Sequence, residues 1–165
     1  MFWEGIRDTE EVTQLKIALG ADHAGFRLKE ILKKDLTQAG HEVQDFGTGS
    51  EEMVDYPDFA EPAAKAVAEG RADKALLMCG NGVGVCMTAN KIPGVRAVLT
   101  SDTYTARTSR EHNDTNVLCM GGRVVGPELA REIARIWLST DFSGDERHVR
   151  RLAKLKHIEE EQKAE

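Results

Sequence analysis

Residues 74–85 read KALLMCGNGVGV and set an apolar run of strand length directly before a loop with glycine at every second position. Gly80, Gly82 and Gly84 free the backbone to turn its amide groups toward an anion at the start of a following helix. The stretch therefore predicts a strand, a ligand-binding loop and a helix in direct succession. The alternative is a tight strand-to-helix turn without a ligand.

The same alternation of strand and helix patterns extends along the chain. Parallel strands need crossover connections, which helices usually supply. The pattern therefore predicts an α/β fold, a three-layer sandwich with a five-stranded parallel sheet. The predicted strands are 16–20, 42–46, 74–79, 95–100 and 117–120, and the predicted helices are 28–39, 58–69, 103–111, one from Pro127 and one from near Asp145.

The composition is that of a soluble protein with one compact domain. The chain has 165 residues, 41% of them hydrophobic, and no apolar run of the roughly 20 residues that a membrane helix needs. A net charge of -6 argues against a nucleic-acid binder. Three cysteines without CxxC spacing, and no signal-like start, favour the cytoplasm. We expect one domain over residues 16–165, after an N-terminal extension over residues 1–15 to which the sequence assigns no function.

Chemically active side chains follow several of the predicted strands. In open α/β sheets, ligands bind beyond the carboxyl ends of the strands, so residues at those ends share one edge. The alternatives are structural: Asp22 only caps the helix that begins near Gly25, and Tyr56 only covers the sheet edge. The residues predicted at this edge are Asp22, His23, Asp55, Tyr56, Cys79 and Arg123.

Cys79 stands at the junction of the third strand and the glycine loop. A thiol beside backbone amides and a helix N-terminus has its thiolate form favoured, which makes it a base or a nucleophile near neutral pH. The alternative is burial as a small hydrophobic residue. Cys86 and Cys119 lie in apolar stretches and are expected in the core, and no Cys or His spacing resembles a zinc site.

Two nucleotide-binding loops match this stretch in part. The phosphate-binding Walker pattern fails, because no Gly-Lys-Ser/Thr follows at the required spacing. The dinucleotide fingerprint is closer, since Gly80-Asn81-Gly82 opens like it and Asp102 lies about 20 residues on. Val85, however, replaces its third glycine. A dinucleotide-binding module stays open as a second interpretation.

His112 and Asn113 end the helix after the fourth strand, so they are predicted at the sheet edge opposite to Cys79. The rise of that helix separates them from Cys79 by about 15 Å. A catalytic His112 would therefore have to act in the cleft of a second subunit. The alternative is a helix-end histidine that interacts favourably with the helix dipole.

A basic cluster stands near the C-terminus of this otherwise acidic chain. Arg147 and Arg151 are four residues apart and so share one helix face, with His148 and Arg150 between them. Paired arginines suit a phosphate dianion. The alternative is a solvated charged face that interacts with the acidic run at 159–161.

Five motifs follow one another along the chain: GADHAGFRLKE, VDYPDFA, CGNGVGVCMTANKIPGVRA, SREHNDTNVLCMGGRVVG and ERHVRRLAKL. Over about residues 16–160, the chain resembles the ribose-5-phosphate isomerase B family, which also includes the subunits of galactose-6-phosphate isomerase. The resemblance implies a Rossmann-like sandwich, a homodimer or dimer of dimers with shared active sites, and no metal or organic cofactor. The implied reaction interconverts an aldose phosphate and its ketose phosphate, with ribose 5-phosphate to ribulose 5-phosphate as the first choice.

The resemblance also implies roles for individual residues. Cys79 would be the general base that moves a proton between C1 and C2, through a cis-enediolate stabilised by the amides of the glycine loop. His112, with Asp22, would open the furanose ring. The implied substrate-binding residues are Gly80, Asn81, Gly82, Gly84, Asn113, Tyr56 and Asp55, and the implied phosphate-binding residues are His23, Arg123, Arg147 and Arg151.

Two positions depart from the family's usual pattern. Asn81 stands where members usually carry threonine or serine, so a tetrose, allose or allulose, or galactose or tagatose phosphate stays open as the substrate. Asp145 and Glu146 precede Arg147 where the family more often has glycine, and their carboxylates weaken a phosphate site unless they point outward. Outside enzymes, a non-catalytic sugar-phosphate-binding module is the alternative.

Overall fold

Residues 13–163 are described by a computed structural model. Residues 1–12 of the predicted N-terminal extension lie outside this range. Within it, no helix is both long and apolar enough to cross a membrane. The elements in chain order are β1 Lys16–Ala21, α1 Phe26–Gln38, β2 Glu42–Asp45, α2 Pro57–Ala68, β3 Lys74–Cys79, α3 Val83–Ala89, β4 Ala97–Leu99, α4 Thr103–Asn113, β5 Val117–Gly121, α5 Pro127–Ser139 and α6 Glu146–Lys163.

The strands form one parallel sheet in the order β2-β1-β3-β5-β4. The strands β1, β3 and β5 are buried along almost their whole length, as expected for parallel strands that are covered on both faces. One face packs against α1, α4 and α5, where Trp137 is fully buried. Alanines of α2 and residues of α3 cover the other face. The predicted Rossmann-like three-layer α/β sandwich is confirmed.

The bounds of the elements agree with the prediction except at a few ends, of which β4 is the clearest. The sequence predicts a strand over 95–100, but β4 covers only Ala97–Leu99. The N–H of Val95 is used in a turn, and the N–H of Arg96 donates to Asn116 Oδ1 at 2.8 Å. These contacts hold the segment that leads into β4.

The end of α4 lies at the amino edge of the sheet, because α4 runs from the carboxyl end of β4 to the amino end of β5. The helix ends at Asn113, two residues beyond the predicted end, and Asp114 follows in a left-handed conformation with φ 44°. Arg96 and Arg110 each pair with the Asp114 carboxylate at 2.8 Å. These ion pairs fix the backbone at this end of α4.

The C-terminal helix α6 begins beside this end of α4. Ser143 N–H donates to the Glu111 carbonyl at 3.0 Å in the segment that leads into α6. Further along, the Glu159 carboxylate accepts the Gly94 N–H at 2.8 Å. Most side chains of α6 are nevertheless exposed. Its large apolar side chains with about half of their surface exposed are Val149, Leu155 and Ile158.

His41 connects the start of β2 to the start of β1. Its Nδ1 accepts the Leu15 N–H at 3.3 Å, and the residue is only 8% exposed. Burial lowers the pKa of His41 below its ordinary value of 6.5, so the fold favours the neutral ring. The stability that this neutral ring supplies is complete above pH 6.5. It is lost as the pH falls through the lower pKa of the folded state.

We expect His41→Asn to flatten the pH dependence of stability, because asparagine keeps an acceptor but does not titrate. Between about pH 7.5 and about pH 5, the free energy of unfolding of the wild type should fall further than that of the variant. Urea unfolding at a series of pH values measures both slopes. His157→Asn, at an exposed histidine of α6, is the matched control. Equal slopes for the wild type and His41→Asn would contradict this role of His41.

Candidate active site

A cleft of about 410 Å³ opens at the carboxyl edge of the sheet, among the loops that follow β1, β2, β3 and β5. Ala24 and Val124 form part of its lining, and the sequence analysis missed both because they contribute shape rather than a reactive group. The residues singled out from the sequence that the fold brings together here are Asp22, His23, Tyr56, Cys79, Gly80, Asn81, Gly84 and Arg123.

Cys79 ends β3 and lines this cleft. Its Sγ accepts the Gly82 N–H at 3.2 Å, and the residue is 4% exposed. Gly82 aims this N–H back at the sulfur because its φ is 80°, a conformation that glycine adopts without a steric penalty. An N–H donor stabilises negative charge on sulfur, so the arrangement suits a thiolate that accepts and returns a proton.

Asn81 lines the cleft beside Cys79. Its Oδ1 accepts the Val83 N–H at 3.0 Å and lies 4.0 Å from Cys79 Sγ. The backbone bond fixes the carboxamide in a turn of the kind that Asn forms with the residue two positions on. The oxygen is partly engaged in this way, whereas the amide nitrogen has no partner among residues 13–163 and is available to a ligand.

Asp22 and His23 occupy the loop after β1. Asp22 Oδ1 accepts the N–H groups of Ala24 and Gly25 at 2.9 and 3.0 Å, so one carboxylate oxygen holds the loop and Oδ2 is left for a ligand. His23 Nδ1 accepts the Val54 N–H at 3.3 Å. In the neutral ring, an accepting Nδ1 leaves the proton on Nε2, which makes Nε2 a hydrogen-bond donor. Asp22 therefore has a structural role in the loop in addition to its place in the cleft.

Tyr56 packs against the first turn of α3. A Cβ at Gly84 would lie 2.7 Å from the Tyr56 ring, so the ring can reach this position only because residue 84 is glycine. On the other side of the cleft, Arg123 N–H donates to the Gly80 carbonyl at 3.0 Å. Its guanidinium forms no ion pair with any of residues 13–163. Asp55, by contrast, is exposed in the turn before α2 and does not line the cleft.

The remaining candidate residues lie at the opposite edge of the sheet. His112 and Asn113 are in the last turn of α4, and Arg147 and Arg151 are in the first turns of α6. None of them lines the cleft of its own chain. The sequence analysis gave no role to His148, which is buried beneath His112. Only a contact between two helices distinguishes it from the exposed arginines on either side.

The other two cysteines differ from each other. Cys119 is fully buried, as predicted, and burial raises its pKa well above the usual range. Cys86 was expected in the core but is half-buried, because it faces the edge between α3 and β4. The hydrogen bond with Cys119 and a further one from Asn90 lower the pKa of Cys86 to about 7, against the effect of burial.

The strand order weakens the dinucleotide interpretation. Strand β5 lies between β3 and β4, so Asp102 does not follow the strand next to the glycine loop, as the acidic residue of that fingerprint does. Asp102 instead caps α4 by accepting the Thr105 N–H at 2.6 Å. It lines a smaller neighbouring cavity of about 250 Å³.

Residues 17–155 match the model of a protein family described as Ribose/Galactose Isomerase. The chain belongs to this family. The match covers all five strands and extends into α6, so both the cleft and the residues at the opposite edge lie within it. The resemblance noted in the sequence is thereby confirmed.

Individual proteins agree with the family assignment. This isomerase is 49% identical over 145 residues to ribose-5-phosphate isomerase B of Escherichia coli. That alignment covers 88% of this chain and 97% of the Escherichia coli protein. This isomerase is 48% identical over 131 residues to D-erythrulose-4-phosphate isomerase 2 of Mycolicibacterium smegmatis, over 78% of this chain and 86% of that one. The solved structure of Clostridium thermocellum ribose-5-phosphate isomerase B matches with a TM-score of 0.87 at 46% identity, over 89% of this chain and 99% of that chain. The chain is therefore an isomerase enzyme.

We expect Gly82→Ala to destabilise this isomerase more than Gly94→Ala. Both glycines have a positive φ, 80° and 83°, so alanine costs about 1–2 kcal/mol at either position. A Cβ at residue 94 would meet nothing within 4 Å, whereas one at residue 82 would lie 2.9 Å from the Met120 carbonyl carbon and would also clash with Leu99.

Urea unfolding should show a loss for Gly82→Ala that exceeds the loss for Gly94→Ala by at least about 1 kcal/mol. The second variant controls for backbone conformation alone. Equal losses would mean that the loop relaxes freely and does not hold the Gly82 N–H against the sulfur.

Proposed function

We propose that this isomerase interconverts ribose 5-phosphate and ribulose 5-phosphate through a cis-enediolate, with Cys79 as the general base. The observation that carries the proposal is that Cys79 lines the cleft and that its Sγ lies 3.2 Å from the Gly82 backbone nitrogen, whose N–H it accepts. The relative from Escherichia coli named ribose-5-phosphate isomerase B supports the choice of sugar. The roles implied for the other site residues are part of the same proposal.

The reaction moves one proton between C1 and C2 of the open-chain sugar. The Cys79 thiolate removes the proton from C2 of the aldose, and negative charge develops on O1. The hydroxyl proton of O2 passes to O1, and the proton on sulfur returns to C1 while O2 becomes the carbonyl oxygen of the ketose. Among the described residues, the N–H groups of Asn81 and Gly84 have no acceptor, so they are available to hold the enediolate charge.

A furanose must open before this proton transfer, which requires a proton to move to the ring oxygen. Asp22 Oδ2 is available in the cleft, because Oδ1 is engaged by the loop. His112 lies at the opposite edge of its own chain, so we assign it to the cleft of a second copy, where it acts with Asp22. Asn113 follows His112 and would hold a sugar hydroxyl there.

Exposed apolar side chains favour assembly with a second copy, as a homodimer or a dimer of dimers. Two of them lie on α3 and in the first turn of α4, and three lie along α6, where exposed apolar side chains suit contact with a partner. A twofold axis would give each cleft one set of residues from the partner. The side chains in question are Met87, Tyr104, Val149, Leu155 and Ile158.

The phosphate would be held by residues from both copies. His23 Nε2 and the Arg123 guanidinium supply donors from the cleft, and Arg147 and Arg151 supply charge from the partner's α6. The Asp145 side chain points toward these phosphate-binding residues, because its Oδ2 lies 3.7 Å from the Arg147 guanidinium. This carboxylate reduces the positive charge that Arg147 offers to a phosphate.

A different phosphorylated sugar is the second candidate substrate, and Asn81 is the residue that favours it. The relative from Mycolicibacterium smegmatis is named for erythrulose 4-phosphate, and a relative from Clostridium acetobutylicum that is 38% identical is named as a galactose-6-phosphate isomerase subunit. The family thus includes proteins named for sugars of different length. A tetrose, allose or galactose phosphate would use the same base and the same glycine loop.

We expect ribose 5-phosphate to be the best substrate of a panel that also holds erythrulose 4-phosphate, allose 6-phosphate and galactose 6-phosphate. Its kcat/KM should exceed the others by about tenfold or more, because one carbon changes the fit of the chain between base and phosphate site. Coupled assays of each sugar measure the ratio. Negligible turnover of ribose 5-phosphate would contradict the choice of substrate, and turnover of another sugar would identify the replacement.

We expect Cys79→Ala and His112→Ala each to abolish turnover, and a mixture of the two variants to recover part of it. After exchange of subunits, half of the dimers would be mixed, and each would contain one site with both residues intact, so about a quarter of the wild-type rate should return. Native mass spectrometry of an isotope-labelled partner verifies the exchange. Absence of recovery after verified exchange would show that His112 does not act across subunits.

A further inference from the structure

His148 is buried on a helix that is otherwise largely exposed. It lies in the first turn of α6 and is 3% exposed, while Arg147 and Arg151 beside it are exposed. Its ring stacks on the ring of His112, with ring centroids 4.3 Å apart and an angle of 12° between the planes. Neither of its ring nitrogens has a hydrogen-bond partner within residues 13–163. A buried polar ring without partners is costly, and it is found where the ring serves another purpose than a hydrogen bond.

Burial and most of the groups that face His148 favour the neutral form of its ring. His112 approaches from α4, Arg147 and Arg151 from α6 itself, and the Asp145 carboxylate from the preceding loop at 4.0 Å from Nε2. Burial lowers the pKa of His148, and the positive neighbours lower it further, while Asp145 opposes them only in part. A neutral ring can lie flat against His112 whether or not His112 carries a proton, whereas two charged rings at this distance repel each other.

We propose that His148 is a positioning residue that holds the His112 ring in the orientation in which it transfers a proton to the ring oxygen of the sugar. The backbone below His112 is already fixed, because Asp114 is paired with Arg96 and Arg110. The torsions of the His112 side chain are the freedom that remains, and the stack removes it. Proton transfer depends steeply on such alignment. This inference rests on the proposed role of His112 and adds the residue through which that role is made effective.

The stack makes a specific prediction about kinetics. His148→Ala should lower kcat about tenfold or more and leave KM within about twofold, because the ring is misaligned for proton transfer while the phosphate contacts are kept. His148→Phe should restore most of kcat, since phenylalanine supplies a flat face of similar size. His157→Ala is the matched control, because His157 lies on the same helix and is exposed.

Each variant would be assayed with the sugar phosphate that the wild-type enzyme converts best, together with a thermal unfolding curve. The stack itself is checked by NMR, where the His112 ring proton signals should lose their ring-current shift in His148→Ala and keep most of it in His148→Phe. This NMR measurement does not depend on turnover.

The possible outcomes separate this inference from the proposed function. Wild-type kcat in His148→Ala, in an enzyme that is active, overturns the inference alone. An equal loss in His148→Ala and His148→Phe also overturns it, because the ring nitrogens and not the flat face would then matter. If the wild type converts no sugar phosphate, the proposed function fails and the inference fails with it.

Discussion

The hydrogen bond from the Gly82 N–H to Cys79 Sγ requires the chain to reverse direction within three residues of the end of β3. Close backbone contacts surround this reversal. A Cβ on Gly121 would lie 2.8 Å from Asn81 Cα, and one on Gly25 would lie 2.5 Å from the Met78 carbonyl. The loops after β1, β3 and β5 therefore pack main chain against main chain. This packing lets fixed N–H groups face the cleft, where preorganised donors stabilise developing charge better than mobile side chains.

The parallel sheet imposes a second constraint, because each helix that follows a strand, α1 to α5, carries the chain from the carboxyl edge back to the amino edge. Helix α4 has 11 residues and so spans about 16 Å. His112 lies in its last turn, and the ion pairs of Asp114 hold that turn in place. No adjustment of a loop can bring His112 to Cys79 of the same chain without unwinding the helix. The joint action proposed for these residues thus depends on the symmetry of an assembly rather than on flexibility.

The sequence predicted the features that depend on local signals. Hydrophobic runs and helical spacing predicted the strands, the helices and their alternation. The positions of the strand ends predicted most of the residues that line the cleft. The features that it could not predict depend on residues distant in the chain. The spacing of Asp102 fitted a dinucleotide fingerprint, but β5 lies between β3 and β4, so Asp102 does not follow the strand paired with β3. His148 read as one of several basic residues, and only its contact with α4 shows that it is buried.

The role of Asn81 depends on both the sequence and the fold. The sequence shows which residue stands at this position, and the fold determines which of its side-chain atoms are free to bind a ligand. The Val83 N–H engages one lone pair of the carboxamide oxygen and Cys79 Sγ lies 4.0 Å from the same atom, so the side chain offers a ligand chiefly its N–H groups. A hydroxyl at the same position would both donate and accept, and it could pass a proton between the two oxygens of an enediolate. An amide held in this way can stabilise charge on such an oxygen but cannot relay the proton. In the proposed reaction, the proton exchange between O1 and O2 would therefore pass through another group or through water, so the occupants of the cleft beside Asn81 would set the rate of that step.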